Sequence, residues 1–166
     1  MRHLKTKADI ETKYVHVEQL FTFSSIERDP RGRVVGVAYL VLSSHESLTA
    51  DEKVDTHEAW WSTIAEARKL AYDHDEILKV ALKRIASRCT YTTLINKLMP
   101  KKFTLTELEQ AYEIVTGKVL DKRNFRKKIL SLDILKELKE KKSEGAHRPA
   151  QLYSFASSKV EEIQVL

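Results

Sequence analysis

The hydrophobic pattern near the front of the chain predicts two β-strands. Residues 14–23 are rich in β-branched and aromatic side chains, a composition typical of strands. Residues 33–42 contain the longest apolar run of the chain, which indicates a strand in the centre of a sheet rather than at its edge. Pro30 and Gly32 lie between the two segments and favour a turn. The pattern therefore predicts a hairpin with a long connection.

A helical pattern follows this hairpin. It begins at about Thr63 and becomes stronger after Asp73, where apolar positions leave little polar surface over residues 74–88. Asp73 and Glu76 have the spacing of a capping box, so we expect Asp73 to cap a well-buried helix.

The last part of the chain has sharper helix signals. Residues 91–98 predict a short helix. The next helix is expected after Thr104, which has Glu107 at capping-box spacing, and it ends before Gly117, where a left-handed residue is favoured. Asp121 is expected to cap the helix that follows it.

The helix after Asp121 is predicted to be amphipathic with a basic outer face. Phe125 and Ile129 share one side of it, whereas Arg123 and Lys127 point the opposite way. Beyond it, strands are predicted at residues 135–141 and 151–155, and the polar tip between them is residues 142–149. The order of helix, short turn, basic helix and hairpin predicts a winged helix-turn-helix.

The charge distribution indicates an anionic partner for the same region. The 166 residues include 29 Lys+Arg and 24 Asp+Glu, a formal net charge of +5. Residues 97–148 hold 14 Lys+Arg and 8 Asp+Glu, a net charge of +6, so they contain all of the excess. Such asymmetry is typical of nucleic-acid binding, and a solvated basic face is the alternative.

A winged helix-turn-helix needs long donor side chains on its second helix and a cation near the wing tip. Arg and Asn can pair bidentately with guanine and adenine, whereas lysines favour phosphates. Six polar residues in seven positions around one aromatic anchor argue against a merely solvated helix face. The candidate DNA-binding residues are Lys122, Arg123, Asn124, Arg126, Lys127, Lys128 and Arg148.

Composition excludes several classes of protein. A hydrophobic fraction of 42% argues against intrinsic disorder. No apolar run approaches the roughly 20 residues of a membrane span, and the first residues lack signal-peptide character. Cys89 is the single cysteine, which excludes an internal disulfide and a cysteine-based zinc site. We therefore expect a cytoplasmic protein with no membrane partner, no metal, no cofactor and no assignable catalytic residues.

Several stretches of the chain resemble a known family, the Nudix-related (NrtR-like) transcriptional regulators. Two of them resemble its winged-helix domain, at residues 121–130 and 148–155, and three resemble the later part of its Nudix-like domain, at residues 18–23, 28–33 and 71–78. The resemblance implies an α+β fold, in which a partial Nudix-like mixed sheet with helices precedes the winged helix-turn-helix. The implied domains are an incomplete Nudix-like domain at residues 1–96, a winged helix-turn-helix DNA-binding domain at residues 97–157 and a tail at residues 158–166.

The resemblance also implies a function. Members of the family are bacterial DNA-binding regulators, typically of NAD or sugar metabolism, whose Nudix-like domain senses a small phosphorylated effector such as ADP-ribose or a sugar phosphate. It implies a homodimer on a palindromic, double-stranded operator. Arg28, Arg31 and Arg33 are the candidate effector-binding residues; contact with a DNA backbone and simple solvation of the turn are the alternatives.

The metal-binding box of Nudix hydrolases is altered in this chain. Residues 2–10 are the only segment in register with that box, and its glutamate positions hold His3, Thr6 and Lys7. Lys7 would repel a divalent cation, and neither other residue is an anionic oxygen donor. The sequence therefore predicts no hydrolysis by the usual route, and hydrolysis of nucleoside diphosphate derivatives such as ADP-ribose is the alternative function. Because the strands before the box are absent, we expect either an N-terminally truncated chain or a sheet completed by a second chain.

Overall fold

The computed structural model describes residues 15–44, 62–67, 69–143 and 149–166. The chain divides into two compact units, residues 1–84 and 85–166. The described strands are β1 (His16–Phe23), β2 (Gly36–Leu42), β3 (Phe103–Thr104), β4 (Leu135–Lys142) and β5 (Ala150–Phe155). The described helices are α1 (His74–Tyr91), α2 (Leu105–Thr116) and α3 (Lys122–Ser131). This mixture of small sheets and helices confirms the predicted α+β class.

The front unit contains the predicted hairpin. β1 and β2 pair antiparallel, with His16 opposite Leu42 and Phe23 opposite Gly36, and the register shifts by one residue after Gln19. Within the described residues β2 pairs with β1 alone, and the expectation that it is a central strand stays a prediction. The apolar run of β2 alternates between buried and exposed positions, because successive side chains of a strand point to opposite faces.

α1 is longer at its C-terminal end than predicted, and its start is organised differently. Asp73 precedes the helix, and its carbonyl oxygen accepts a hydrogen bond from the Ile77 backbone at 3.1 Å. Its carboxylate accepts two hydrogen bonds from Arg28, so an ion pair replaces the predicted side-chain cap. The helix predicted from Thr63 is also wrong, since the described residues there form a turn.

The back unit has a three-stranded antiparallel sheet in the order β3-β5-β4. The pairing of β4 with β5 confirms the predicted hairpin. The two-residue strand β3 pairs Phe103 with Tyr153, and its shortness explains why no sequence pattern indicated it. The predicted helix 91–98 is reduced to a 3-10 helix, Leu94–Lys97, because α1 itself continues to Tyr91.

The predicted limits of α2 and α3 are confirmed. Thr104 accepts a hydrogen bond from the Glu107 backbone, and the Glu107 carboxylate accepts one from the Thr104 backbone, which completes the capping box. Gly117 ends α2 in the left-handed region with φ 67°. Asp121 caps α3 by accepting a hydrogen bond from the Asn124 backbone at 2.7 Å.

The core of the back unit is centred on the contact between α2 and α3. Tyr112 of α2 is fully buried, and its ring meets that of Phe125 edge-on at 5.4 Å between centroids. Ile129, one turn further along α3, is also fully buried. Burial raises the pKa of the Tyr112 hydroxyl well above its ordinary value. α3 is therefore held to the rest of the unit by one apolar side.

The C-terminal segment is part of the same unit. The backbone of Ile163 donates a hydrogen bond to the Tyr91 carbonyl, and that of Val165 donates one to the Thr90 carbonyl, both at 2.9 Å. Val165 is almost fully buried. The segment predicted as a tail therefore packs against the end of α1.

Replacing the aromatic anchor of α3 tests this core. Phe125→Ala removes a side chain that is 5% exposed and should lower the free energy of unfolding by about 3–5 kcal/mol, because it leaves a cavity. Leu130→Ala is the control, since Leu130 lies on the same helix and is 44% exposed. Denaturant titration followed by circular dichroism measures both. Equal losses in the two variants would contradict the assignment of the buried side.

The ion pair before α1 should make the front unit sensitive to acid. The hydrogen bond from Arg28 lowers the pKa of Asp73 below its ordinary value, so the pair stabilises the fold above the unfolded-state pKa and loses this effect as pH falls through the folded-state pKa. Asp73→Asn should therefore melt at a lower temperature than the unaltered protein at neutral pH, and the difference should shrink in acid. Glu76→Gln, at an exposed position, is the control. A difference that stays constant with pH would refute this role.

Candidate nucleic-acid interface

The outer face of α3 carries most of the predicted DNA-binding residues. The exposed members of that set are Lys122, Arg123, Asn124, Lys127 and Lys128. Within the described part of the chain, none of these five side chains forms a hydrogen bond or an ion pair. Four positive charges therefore lie uncompensated on one short helix.

The position of these cations along the helix adds to the positive potential. The N-terminus of a helix carries a partial positive charge that favours anions. The first turn of α3 contains no acidic residue, whereas Lys122 and Arg123 lie within it. The capping carboxylate of Asp121 is the nearest negative group in sequence. The helix therefore lacks the stabilisation that an acidic residue in its first turn would provide, and its N-terminal end presents a surface that favours anions.

Arg126 differs from its neighbours on α3. Its side chain is half-buried, and its Nη2 donates a hydrogen bond to the Thr106 hydroxyl of α2 at 2.8 Å. Its Nε is buried and has no partner among the described residues. The sequence pattern placed Arg126 on the flank of the helix, and the structure places it against the neighbouring helix.

The wing is the hairpin of β4 and β5. Contacts that the sequence did not predict join it to α2 and to the residue before β3. Lys142, at the end of β4, donates a hydrogen bond to Glu107 at 2.7 Å, and Lys102 donates to Glu140 at the same distance. Burial opposes ionisation of Glu107, but hydrogen bonds from Lys142 and Thr104 outweigh it and lower its pKa. Arg148, which was predicted to lie near the wing tip, is outside the described residues.

The three arginines predicted to bind an effector have different surroundings in the front unit. The Arg28 side chain is only 10% exposed and bonds to Asp73 through Nε at 2.8 Å. A Cβ atom at Gly36 would lie 2.6 Å from the Arg28 guanidinium, so the glycine makes room for this ion pair. Arg28 is therefore occupied by a structural role.

Arg31 and Arg33 are more accessible. Arg31 is 72% exposed and donates to Asp29 through Nε and Nη2 at 3.0 and 2.8 Å, while its guanidinium lies 5.0 Å from the Tyr72 ring centre. The hydrogen bonds from Arg31 lower the pKa of Asp29 to about 2. Arg33 is exposed, and the described residues provide no partner for it.

An open pocket of about 440 Å³ lies beside the ion pair of Arg28 and Asp73. Phe21, Glu27 and Glu76 are among the residues that line it. Its carboxylates make it a poor site for phosphate groups, whereas hydroxyl groups can donate to carboxylates and a planar ring can stack on Phe21.

The described residues contain no group of three or more His, Cys, Asp or Glu side chains arranged to hold a metal ion. No helix in that part of the chain is long and apolar enough to cross a membrane. The altered box positions His3, Thr6 and Lys7 lie outside the described residues.

Comparison with known proteins identifies the back unit. Residues 95–155 match the family model of the NrtR DNA-binding winged helix domain. The chain is 38% identical over 157 residues to a protein of Acinetobacter baylyi described as an ADPR responsive transcriptional repressor, NtrR. The match covers 93% of this chain, which spans 61% of the length of that curated relative. The predicted winged helix-turn-helix is thus confirmed.

Solved structures show a likeness over most of the chain. The crystal structure of NrtR from Shewanella oneidensis has a TM-score of 0.75 and 29% identity, covering 93% of this chain and 69% of that one. The same protein complexed with a 27mer DNA has a TM-score of 0.78, with the same identity and coverage. A MutT/nudix family protein from Enterococcus faecalis has a TM-score of 0.57 and 24% identity, covering 94% of this chain and 68% of that one, which is a likeness of fold alone. The chain is thus similar to NrtR regulators over most of its length, and its residues 95–155 match their DNA-binding winged helix domain.

Proposed function

We propose that the protein is a DNA-binding transcriptional regulator and that α3 enters the major groove of its operator. The observation that carries this proposal is the row of exposed, unpaired cations on a helix whose other side is fixed by Phe125 and Ile129. The apolar side of α3 fixes the helix to the unit, and its basic face points to solvent. Together they match the docking geometry of a recognition helix. Support also comes from the Shewanella oneidensis relative, whose structure contains a 27mer DNA.

The exposed residues of α3 divide by chemistry. Arg123 and Asn124 carry the donor geometry that reads guanine and adenine edges, so we assign base readout to them. Lys122, Lys127 and Lys128 are point charges on flexible stems, so we assign phosphate contacts to them. Arg148, which lies between β4 and β5 in the sequence, is assigned a contact with the DNA backbone. Residues 97–157 are the proposed DNA-binding module.

We further propose a homodimer that binds a palindromic operator in the cytoplasm. One recognition helix covers only a few base pairs, and two related by a two-fold axis reach successive major grooves about 34 Å apart. Twofold symmetry in the protein then requires the same symmetry in the operator.

The front unit is the proposed effector domain, with ADP-ribose or a related sugar phosphate as its ligand. The curated relative is described as ADPR responsive. Because the Arg28 side chain is enclosed beside Asp73, whereas Arg33 and the Asp29-paired Arg31 are exposed, we assign the phosphate contacts to Arg31 and Arg33 and a structural role to Arg28. The acidic, aromatic pocket beside Arg28 is suited to the ribose hydroxyls and the base rather than to the diphosphate.

We propose that this domain binds its ligand without hydrolysing it. The altered box residues His3, Thr6 and Lys7 support this proposal, since magnesium prefers carboxylate oxygens. The description of the curated relative as a repressor points the same way.

Neutralising the outer face of α3 should weaken DNA binding in a salt-dependent way. The double variant Arg123→Gln and Lys127→Gln removes two charges without touching the buried side of the helix. The free energy of operator binding should weaken by about 1–3 kcal/mol through the lost base contact of Arg123, and the slope of log affinity against log salt should decrease by about 1 through the lost phosphate contact of Lys127. Fluorescence anisotropy across a salt series measures both quantities.

The matched control is Lys79→Gln, an exposed lysine on α1. It should leave affinity and salt slope unchanged. If the double variant bound the operator as tightly as the unaltered protein, the assignment of α3 as the recognition helix would be wrong.

Removing an exposed arginine should weaken effector binding. Arg33→Ala should reduce ADP-ribose affinity about tenfold, because a charge-assisted hydrogen bond to a phosphate is lost. Arg123→Ala, in the other unit, is the control and should bind ADP-ribose normally. Isothermal titration calorimetry measures both variants, and unchanged affinity in Arg33→Ala would remove it from the site.

The unaltered protein incubated with ADP-ribose and Mg²⁺ should release no AMP. Turnover would favour the hydrolase alternative.

A further inference from the structure

Arg126 is the one cation in the basic segment 122–128 whose guanidinium is engaged inside the protein, as far as the structure describes it. Its Nη2 donates to the Thr106 hydroxyl at 2.8 Å, and its Nε is buried. Lys127 and Lys128, the next two residues of α3, are exposed. One sequence segment therefore contains two kinds of positive side chain.

The surroundings of Arg126 come from several elements of the back unit. Thr106 lies in the first turn of α2, two residues after the capping residue Thr104. Burial and the charge of Glu137 raise the pKa of Tyr153 on β5, whereas the charge of Arg126 lowers it. The charge of Arg126 therefore acts on β5 as well as on α2. A side chain in this position can fix the orientation of α3 relative to its supports.

The same contacts make Arg126 poorly suited to reading DNA. Bidentate recognition of guanine or of a phosphate needs two guanidinium nitrogen atoms directed at the ligand. In Arg126 one terminal nitrogen is bonded to Thr106 and Nε is enclosed. A guanidinium withdrawn from its hydrogen bond inside the protein would also leave the Thr106 hydroxyl without that partner.

We propose that Arg126 is a positioning residue, which acts on DNA affinity through its hydrogen bond to Thr106 and fixes how α3 crosses α2. This inference rests on the proposed function of α3 as the recognition helix. A small change in the crossing angle displaces every base-reading and phosphate-binding side chain of α3 together.

The matched pair Thr106→Val and Thr106→Ser tests the hydrogen bond without altering any charge. Valine has nearly the shape of threonine but no hydroxyl, whereas serine keeps the hydroxyl. Thr106→Val should weaken operator binding about tenfold with an unchanged salt slope, and Thr106→Ser should restore most of the affinity. Anisotropy titrations at several salt concentrations give affinity and slope for each variant.

A double-mutant cycle with Arg126→Gln separates coupling from independent effects. If Arg126 acts through Thr106, the double variant Arg126→Gln and Thr106→Val should bind no more weakly than Arg126→Gln alone. The salt slope of Arg126→Gln should match that of the unaltered protein. Additive losses, or a slope lower by about 1 in Arg126→Gln, would overturn the proposal and make Arg126 a phosphate contact.

Two controls keep the outcome interpretable. Circular dichroism melting identifies any variant that fails to fold. If Thr106→Val is unstable, Thr106→Ser is still informative, because the proposal requires a near-normal affinity in a serine variant that melts normally. Lys127→Gln should lower the salt slope by about 1. If Lys127→Gln changes nothing, the recognition-helix assignment fails, whereas a normal Lys127→Gln response with additive Arg126 and Thr106 effects rejects only the positioning role.

Discussion

The packing of α3 on α2 is the interaction on which the functional surface depends. Phe125 meets Tyr112 edge-on, and Ile129 is enclosed one turn later. With one side of the helix fixed in this way, helical periodicity leaves no freedom about where Arg123 and Lys127 point. The basic face is therefore a consequence of the apolar contact, and its orientation is as rigid as the core beneath it.

The back unit treats its positive charges in two ways. Lys142 and Lys102 are paired with Glu107 and Glu140, and these pairs fasten the wing strand to its neighbours. The cations on the outer face of α3 have no such partners within the described residues. The distribution of partners therefore separates the lysines that hold the wing from those on α3 to which we assign DNA contacts.

The front unit follows a similar division. Arg28 is enclosed beside Asp73, in space that Gly36 leaves open, and it joins the turn after β1 to the start of α1. Arg31 and Arg33 extend from the same turn into solvent. The turn thus contains one enclosed arginine that joins two segments of the unit and two exposed arginines, of which Arg31 is paired with Asp29.

The sequence alone predicts where α2 begins and ends and where α3 begins, but it predicts neither β3 nor the packing of the C-terminal segment. Thr104, Gly117 and Asp121 act through bonds to residues within a few positions of themselves, so local spacing was sufficient to predict them. The pairing of Asp73 with Arg28, 45 positions away, and the hydrogen bond from Arg126 of α3 to Thr106 of α2 arise from the three-dimensional fold. Both outcomes depend on which distant side chain arrives beside a charged group, and neither helical periodicity nor strand alternation contains that information.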